Sequence, residues 1–135
     1  MLLLAVLLAA ATAAGLVWRA RQGRVRQVQD DDAARDLTAE VTALGAVLGE
    51  RATLLQFSSA FCAPCRATRT LLAHVAGTEP GVVHVEVDAE QHLELVRRLD
   101  VRKTPTTLVL DGRGREVRRA SGAPRRADVL AALPS

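Results

Sequence analysis

Aromatic side chains are scarce in this chain of 135 residues, at 2% of the total, and tyrosine is absent. Lysine occurs once, at Lys103, so every other cationic side chain is an arginine. The arginines cluster near residues 19–26 and 113–126, but recognition of single-stranded nucleic acid also needs aromatic rings on which bases can stack. We therefore expect no nucleic-acid partner.

Cysteine is nearly as rare. It occurs only at Cys62 and Cys65, which excludes a small scaffold held together by several disulfides. Histidines 74, 84 and 92 are scattered, and no second ligand pair has the spacing of a zinc site. We expect no metal, although a zinc site and a purely structural disulfide remain alternative interpretations of the cysteine pair. With 49% hydrophobic and 24% charged residues, the chain is expected to fold around an apolar core.

A long uncharged run opens the chain, from Leu2 to Trp18, and as a helix it would span about 25 Å. A retained signal anchor, a cleaved signal peptide with a small-x-small site at residues 11–13, and a buried helix of the domain are three possible interpretations. We favour the anchor because the positive charges, beginning with Arg19 and Arg21, follow the apolar run. The positive-inside rule then predicts a single-pass membrane protein whose following domain is cytoplasmic, with an extracytoplasmic domain as the alternative.

The predicted organisation has three parts: a transmembrane anchor over 1–21, a juxtamembrane linker over 22–35 and a folded domain over 36–135. Apolar periodicity predicts alternating helices and strands in that domain. The expected helices cover 36–50, a segment opened by the cysteines and running at least to Val75, 89–100 and 125–133. The expected strands cover 52–57, 81–87, 105–110 and 115–121, the last as a sheet edge. This order indicates an α/β fold with a mixed central sheet flanked by helices on both faces.

The cysteine pair lies where a strand and a short loop lead into a helix. A helix N-terminus stabilises a thiolate there, and two cysteines three residues apart can close a disulfide. The buried stripe of the helix is predicted to contain Cys65, Thr68, Leu72 and Val75, so Cys65 is the inner sulfur and Cys62 the exposed one. Cys62 would then attack a substrate disulfide and Cys65 would resolve the mixed disulfide.

Two stretches, FSSAFCAPCRATRTLL and VEVDAEQHLELVRRLDVRKTPTTLVLDGRGREVRRASGA, resemble the thioredoxin family. The resemblance implies the thioredoxin fold and a protein-disulfide reductase that uses a reductase or small thiols as electron donor. It implies no cofactor beyond the Cys62–Cys65 disulfide, and we expect a monomer. With the apolar N-terminus, and a composition typical of a GC-rich bacterial genome, the chain resembles a membrane-anchored bacterial thioredoxin-like protein.

The resemblance also assigns a substrate-binding surface. It makes Pro105 a cis-proline beside the disulfide, and it gives the backbone of Thr104 strand-like hydrogen bonds to an extended substrate. The other residues that it places on this surface are Phe61, Ala63, Pro64 and Gly122.

The chain departs from the family pattern beneath the cysteines. Gln56 occupies the position where thioredoxins usually carry a buried aspartate that helps to deprotonate the resolving thiol, and His84 occupies that of the neighbouring basic residue. We therefore expect a supporting Gln56–His84 contact, and either slow resolution or a base supplied elsewhere. A binding or chaperone-like module with weak redox activity is the alternative function, and a reductant of exported thiols such as apocytochrome is the extracytoplasmic alternative.

Overall fold

The computed structural model describes residues 1–27 and 35–135, apart from the side chain of Leu2. Within them the helices are α1 (Leu2–Arg21), α2 (Thr38–Ala43), α3 (Ala63–Thr78), α4 (Leu93–Arg98) and α5 (Arg126–Ala132). The strands are β1 (Val25–Gln27), β2 (Ala52–Ser58), β3 (Val82–Asp88), β4 (Thr106–Asp111) and β5 (Glu116–Ser121). The predicted alternation of helices and strands is confirmed.

All described strands form one sheet in the order β1-β5-β4-β2-β3. Only β2 and β3 are parallel neighbours, and the other pairs are antiparallel. Strand β2 is buried along its whole length, as expected for a central strand covered on both faces. Its side chains alternate between the two layers. Leu54 packs with α3 and α5, while Leu55 and Phe57 pack with the residues around α2 and α4.

The prediction that residues 115–121 form an edge strand is wrong. Strand β1 covers β5, with Val25 opposite Ala120 and Gln27 opposite Arg118. This strand lies inside the predicted linker, whose residues 28–34 are outside the described part of the chain. Three residues carry too little periodicity to be recognised as a strand, and only their pairing with β5 defines them.

Two helices are shorter than predicted. A turn at residues 89–91, with the Glu90 amide donating to the Asp88 carboxylate, delays the start of α4 to Leu93, and left-handed residues end both helices. Helix α2 ends before Gly45, whose φ is +74°, and the Ala46 amide donates to the Val41 carbonyl as in a Schellman motif. Asp100, with φ of +52°, ends α4 in the same way. In α4, Leu93 is exposed and Leu95 is buried.

The described apolar side chains of helix α1 are exposed and do not pack into the core. The helix is long and apolar enough to cross a membrane over Leu3–Arg21, with mean hydropathy of 1.9 and none of that window buried. A signal sequence near an N-terminus has the same properties, so the helix is a candidate span by length and composition only.

Candidate active site

Cys62 and Cys65 form a disulfide at the start of α3, with their Cα atoms 5.2 Å apart. Cys62 is the N-cap residue, and its Sγ accepts a hydrogen bond of 3.2 Å from the Cys65 amide. Pro64 lies in the first turn of the helix, where a missing amide hydrogen costs no intrahelical bond. The sulfur of the first cysteine is therefore held against the positive end of the helix.

The predicted burial of the two cysteines is confirmed. Cys65 is 1% exposed and shares the buried face of α3 with Thr68, Leu72 and Val75, whereas Cys62 is partly exposed. Phe61, just before Cys62, is fully exposed, and the side chains of Ala63 and Pro64 are also on the surface. A partner can therefore approach Cys62 across an open surface while Cys65 is covered.

A loop from a distant part of the chain is connected to this surface. The peptide bond between Thr104 and Pro105 is cis, and the Thr104 hydroxyl is 3.0 Å from that of Ser59, in the loop before the cysteines. The amide of Gly122 donates to the Pro105 carbonyl at 2.7 Å. Gly122 has a φ of +96°, which favours glycine, so this backbone contact depends on the residue type.

Gln56 and His84 are in contact beneath the cysteines. The side chain of Gln56 is fully buried, and its amide nitrogen donates to the Cys65 carbonyl at 3.0 Å. Its oxygen is 2.9 Å from Nε2 of His84, which must then carry the proton. Burial lowers the pKa of His84; Glu86 opposes this shift and Arg69 adds to it. The expected Gln56–His84 contact is thus present, and it reaches the backbone of Cys65 rather than its sulfur.

Sequence reasoning did not identify a second polar network, which lies beside the first. The carboxylate of Glu86 accepts hydrogen bonds from the Arg69 guanidinium at 2.5 and 2.6 Å and from the Ser58 hydroxyl at 2.5 Å. The hydrogen bonds from Arg69 hold the pKa of Glu86 below its usual value, and the Ser58 hydroxyl lowers it further. The spacing of these residues could have indicated this network. Glu86 is two residues after His84 on β3, and Arg69 is one helical turn after Cys65, so each shares a face with a residue of the candidate site.

The second network lines a cavity of about 420 Å³ that reaches Cys65. Its walls are Ser58, Ser59, Ala60, Cys65, Arg66, Arg69, Glu86 and Asp88. Among the described residues, no group of three or more histidines, cysteines, aspartates or glutamates could hold a metal ion. The candidate site residues fall into groups. One surface is formed by Phe61, Cys62, Ala63 and Pro64. Ser59 connects this surface to the loop that contains Thr104 and Pro105, which Gly122 contacts. Gln56 and His84 lie below this surface.

A CxxC disulfide at a helix N-terminus, next to a loop with a cis-proline and on a mixed five-stranded sheet, defines a thioredoxin-fold protein with a redox-capable cysteine pair. A family model described as thioredoxin matches residues 37–134. The chain belongs to the thioredoxin family.

Individual relatives agree with this assignment. The chain is 38% identical to thioredoxin H5 of Oryza sativa subsp. japonica over 60 residues, which are 44% of each protein. It spans about half the length of the curated relatives it matches. The crystal structure of Fasciola hepatica thioredoxin matches with 25% identity and a TM-score of 0.56, covering 70% of this chain and 86% of that one. A reduced Schistosoma mansoni thioredoxin pre-protein matches in fold, with 20% identity, a TM-score of 0.56 and coverage of 71% and 85%.

Proposed function

We propose that this chain is a thiol–disulfide oxidoreductase that reduces protein disulfides through Cys62 and Cys65. The observation that carries the proposal is the position of the disulfide: one sulfur is partly exposed at the tip of α3, and the other is buried one turn inside. The hydrogen bond from the Cys65 amide and the helix N-terminus both stabilise a thiolate on Cys62.

In the proposed cycle the reduced protein supplies two electrons. The Cys62 thiolate attacks one sulfur of the substrate disulfide, that S–S bond breaks, and the departing thiolate takes up a proton. The Cys65 thiol then loses its proton and attacks the Cys62 sulfur. The Cys62–Cys65 bond forms, and the second substrate thiol is released. A reductase or a small thiol returns two electrons to the disulfide, and no cofactor is required.

The surface around Cys62 would hold the substrate. An extended segment would pair with the backbone of Thr104 beside Pro105, because this loop is tied to the cysteine loop through Ser59. Phe61 would offer an apolar contact, and the side chains of Ala63 and Pro64 leave the approach to Cys62 open. Gly122 would support the loop through its hydrogen bond to Pro105.

Gln56 favours a second candidate, a binding or chaperone-like module with weak redox activity. Its amide cannot accept the proton of Cys65, and its fully buried side chain instead donates a hydrogen bond to the Cys65 carbonyl. His84 is hydrogen-bonded to Gln56 and not to a sulfur, so this contact does not supply a base directly to Cys65. Resolution by Cys65 would then be the slow step.

Reduction of insulin disulfides by the full chain in detergent, with dithiothreitol as electron donor, distinguishes the two candidates. We expect a rate well above that of the Cys62→Ser variant, and a rate equal to it would exclude the oxidoreductase. In that event, binding of unfolded insulin chains that persists in Cys62→Ser would support the binding module. Cys65→Ser should accumulate a mixed disulfide with substrate, whereas Cys62→Ser should not, as mass spectrometry would detect.

For localisation, we propose that residues 1–21 anchor the protein in a membrane and that residues 36–135 form a monomeric catalytic domain. Helix α1 is apolar and exposed, and Arg19 and Arg21 lie in its last turn. By the positive-inside rule the domain would be cytoplasmic. Protease added to intact cells should then leave the domain uncut. Cleavage from outside would favour the extracytoplasmic alternative, a reductant of exported thiols.

A further inference from the structure

The connection between the apolar helix and the catalytic domain is short and hydrogen-bonded. Helix α1 ends at Arg21, and Gln22 is extended, with φ of −71° and ψ of 139°. The next residue, Gly23, is buried, and its amide donates to the Ser121 carbonyl at 2.9 Å. From Trp18 to Gly23 the backbone covers about 11 Å, counting three helical and two extended steps.

This connection ends at the loop that carries the cis-proline. Ser121 precedes Gly122, whose amide donates to the Pro105 carbonyl. A Cβ atom on Gly122 would lie 3.6 Å from the Cα of Gly23, so the two glycine backbones are in contact. Thr104, which precedes Pro105, is in turn hydrogen-bonded through its side chain to Ser59, beside the cysteines. A continuous chain of contacts therefore joins the end of α1 to the redox site.

Glycine is required at the start of this chain of contacts. Gly23 has a φ of +75°, and a Cβ atom there would meet the Ala123 carbonyl oxygen at 2.0 Å. Strand β1 begins two residues later and pairs with β5, so the chain is held to the domain from Gly23 onward. The domain can therefore move relative to α1 only through Gln22 unless these bonds break.

We propose that this connection holds the dithiol against the bilayer surface, and that the substrate is a disulfide of another membrane-bound protein, close to the same surface. The inference rests on the proposed oxidoreductase and on α1 as its anchor. With Trp18 at the interface and a headgroup region about 5–7 Å thick, about 11 Å of chain places Gly23, which contacts the Pro105 loop, only a few ångströms beyond the headgroups. The exposed side chains of Arg19, Arg21 and Arg24 would meet anionic lipid there. Disulfides far from the membrane would reach Cys62 less often.

The test compares two lipid-anchored peptides with the same disulfide loop, on vesicles of phosphatidylcholine and phosphatidylglycerol that contain the full chain. A spacer of about 5 Gly/Ser residues keeps one disulfide roughly 12 Å from the membrane, and about 40 residues place the other roughly 35 Å away. With dithiothreitol as donor, we expect the near peptide to be reduced at least about fivefold faster. Its disulfide gains two electrons and two protons while the Cys62–Cys65 bond forms.

Insertion of about 20 Gly/Ser residues between Arg21 and Gln22 should bring the ratio of near to far rates down to about 1. The same insertion after Ser135 should leave it unchanged. Gly23→Ala should lower the ratio, whereas Gly15→Ala, where a Cβ atom meets nothing within 4 Å, should not. If neither the insertion before Gln22 nor Gly23→Ala changes the ratio, the inference is overturned.

Insulin reduction in detergent separates this failure from failure of the proposed function. Suppose that the insertion and glycine variants reduce insulin within about twofold of the natural chain, but the ratio of near to far rates is the same in all of them. Then only the proposal of a substrate close to the membrane surface is wrong. If none exceeds Cys62→Ser, the oxidoreductase itself is wrong. If alkaline carbonate extracts the full chain from the vesicles, the anchor is wrong, and the surface-proximal substrate is overturned with it.

Discussion

Gln56 links two groups beneath the cysteines. Its side-chain nitrogen donates a hydrogen bond to the Cys65 carbonyl, and its side-chain oxygen accepts one from His84. We predict that Gln56→Leu lowers the free energy of unfolding by about 2 kcal/mol, because the Cys65 carbonyl loses a buried hydrogen bond and His84 loses a partly buried one. Urea unfolding of the oxidised protein measures the change.

Thr107 provides the matched contrast. It is also buried, but its hydroxyl has no hydrogen-bond partner among the described residues. Thr107→Val removes an unpaired polar atom at nearly constant volume and should be neutral or stabilising by up to about 1 kcal/mol. Equal losses in Gln56→Leu and Thr107→Val would contradict the importance of the Gln56 hydrogen bonds.

His84 gives a prediction for pH. Because burial lowers its pKa in the folded state, the unfolded chain takes up the proton first as the pH falls through about 6.5. Stability should therefore be unaffected by this residue above that pH and should decrease below it. The neighbouring charges act in both directions: Glu86 favours the protonated ring and Arg69 opposes it.

The change that tests this dependence is His84→Gln, which keeps a polar side chain but removes the titration. Urea unfolding between pH 5 and pH 8 should show a weaker decrease toward acid in His84→Gln than in the natural chain. His74→Gln, at an exposed position on α3, is the control and should retain the natural slope. Identical slopes for all three proteins would contradict a half-buried His84 that stays neutral in the folded protein.

At the scale of elements, an ion pair within β5 holds the arginine that connects this strand to the end of α4. The carboxylate of Glu116, 3% exposed, receives two hydrogen bonds from Arg119, and this guanidinium also donates to the Leu99 carbonyl at 2.7 Å. Glu116→Ala would leave the Arg119 charge without its carboxylate, and we expect a loss of about 3 kcal/mol.

The control for this pair is Glu94 in α4, which pairs with Arg97 on the surface, with side chains 88% and 75% exposed. Glu94→Ala should change the free energy of unfolding by less than about 0.5 kcal/mol, because solvent screens exposed ion pairs. Denaturant unfolding of both variants gives the comparison. A small effect of Glu116→Ala would show that the sheet does not depend on this pair.

For the whole molecule, the anchor predicts how the full chain divides between membrane and water. Leu8 lies in the middle of α1 and is exposed, so Leu8→Arg would place a charge near the bilayer centre at a cost of about 2.5–3.5 kcal/mol. We expect a large fraction of Leu8→Arg in the carbonate-soluble fraction. Gly15→Ala should stay in the membrane pellet, and an equal distribution of both variants would contradict a spanning helix.

The sequence by itself determined the alternation of helices and strands, the exposed and buried members of the cysteine pair, and the apolar start of the chain. These features follow local periodicity, which a single segment carries in full. Only the tertiary structure decided that β1 pairs with β5, that Gly23 contacts the loop of Pro105, and that Glu86 joins Arg69 beside Cys65. Each of these joins segments far apart in the chain, and their partners are selected by sheet register and packing, which no local pattern records.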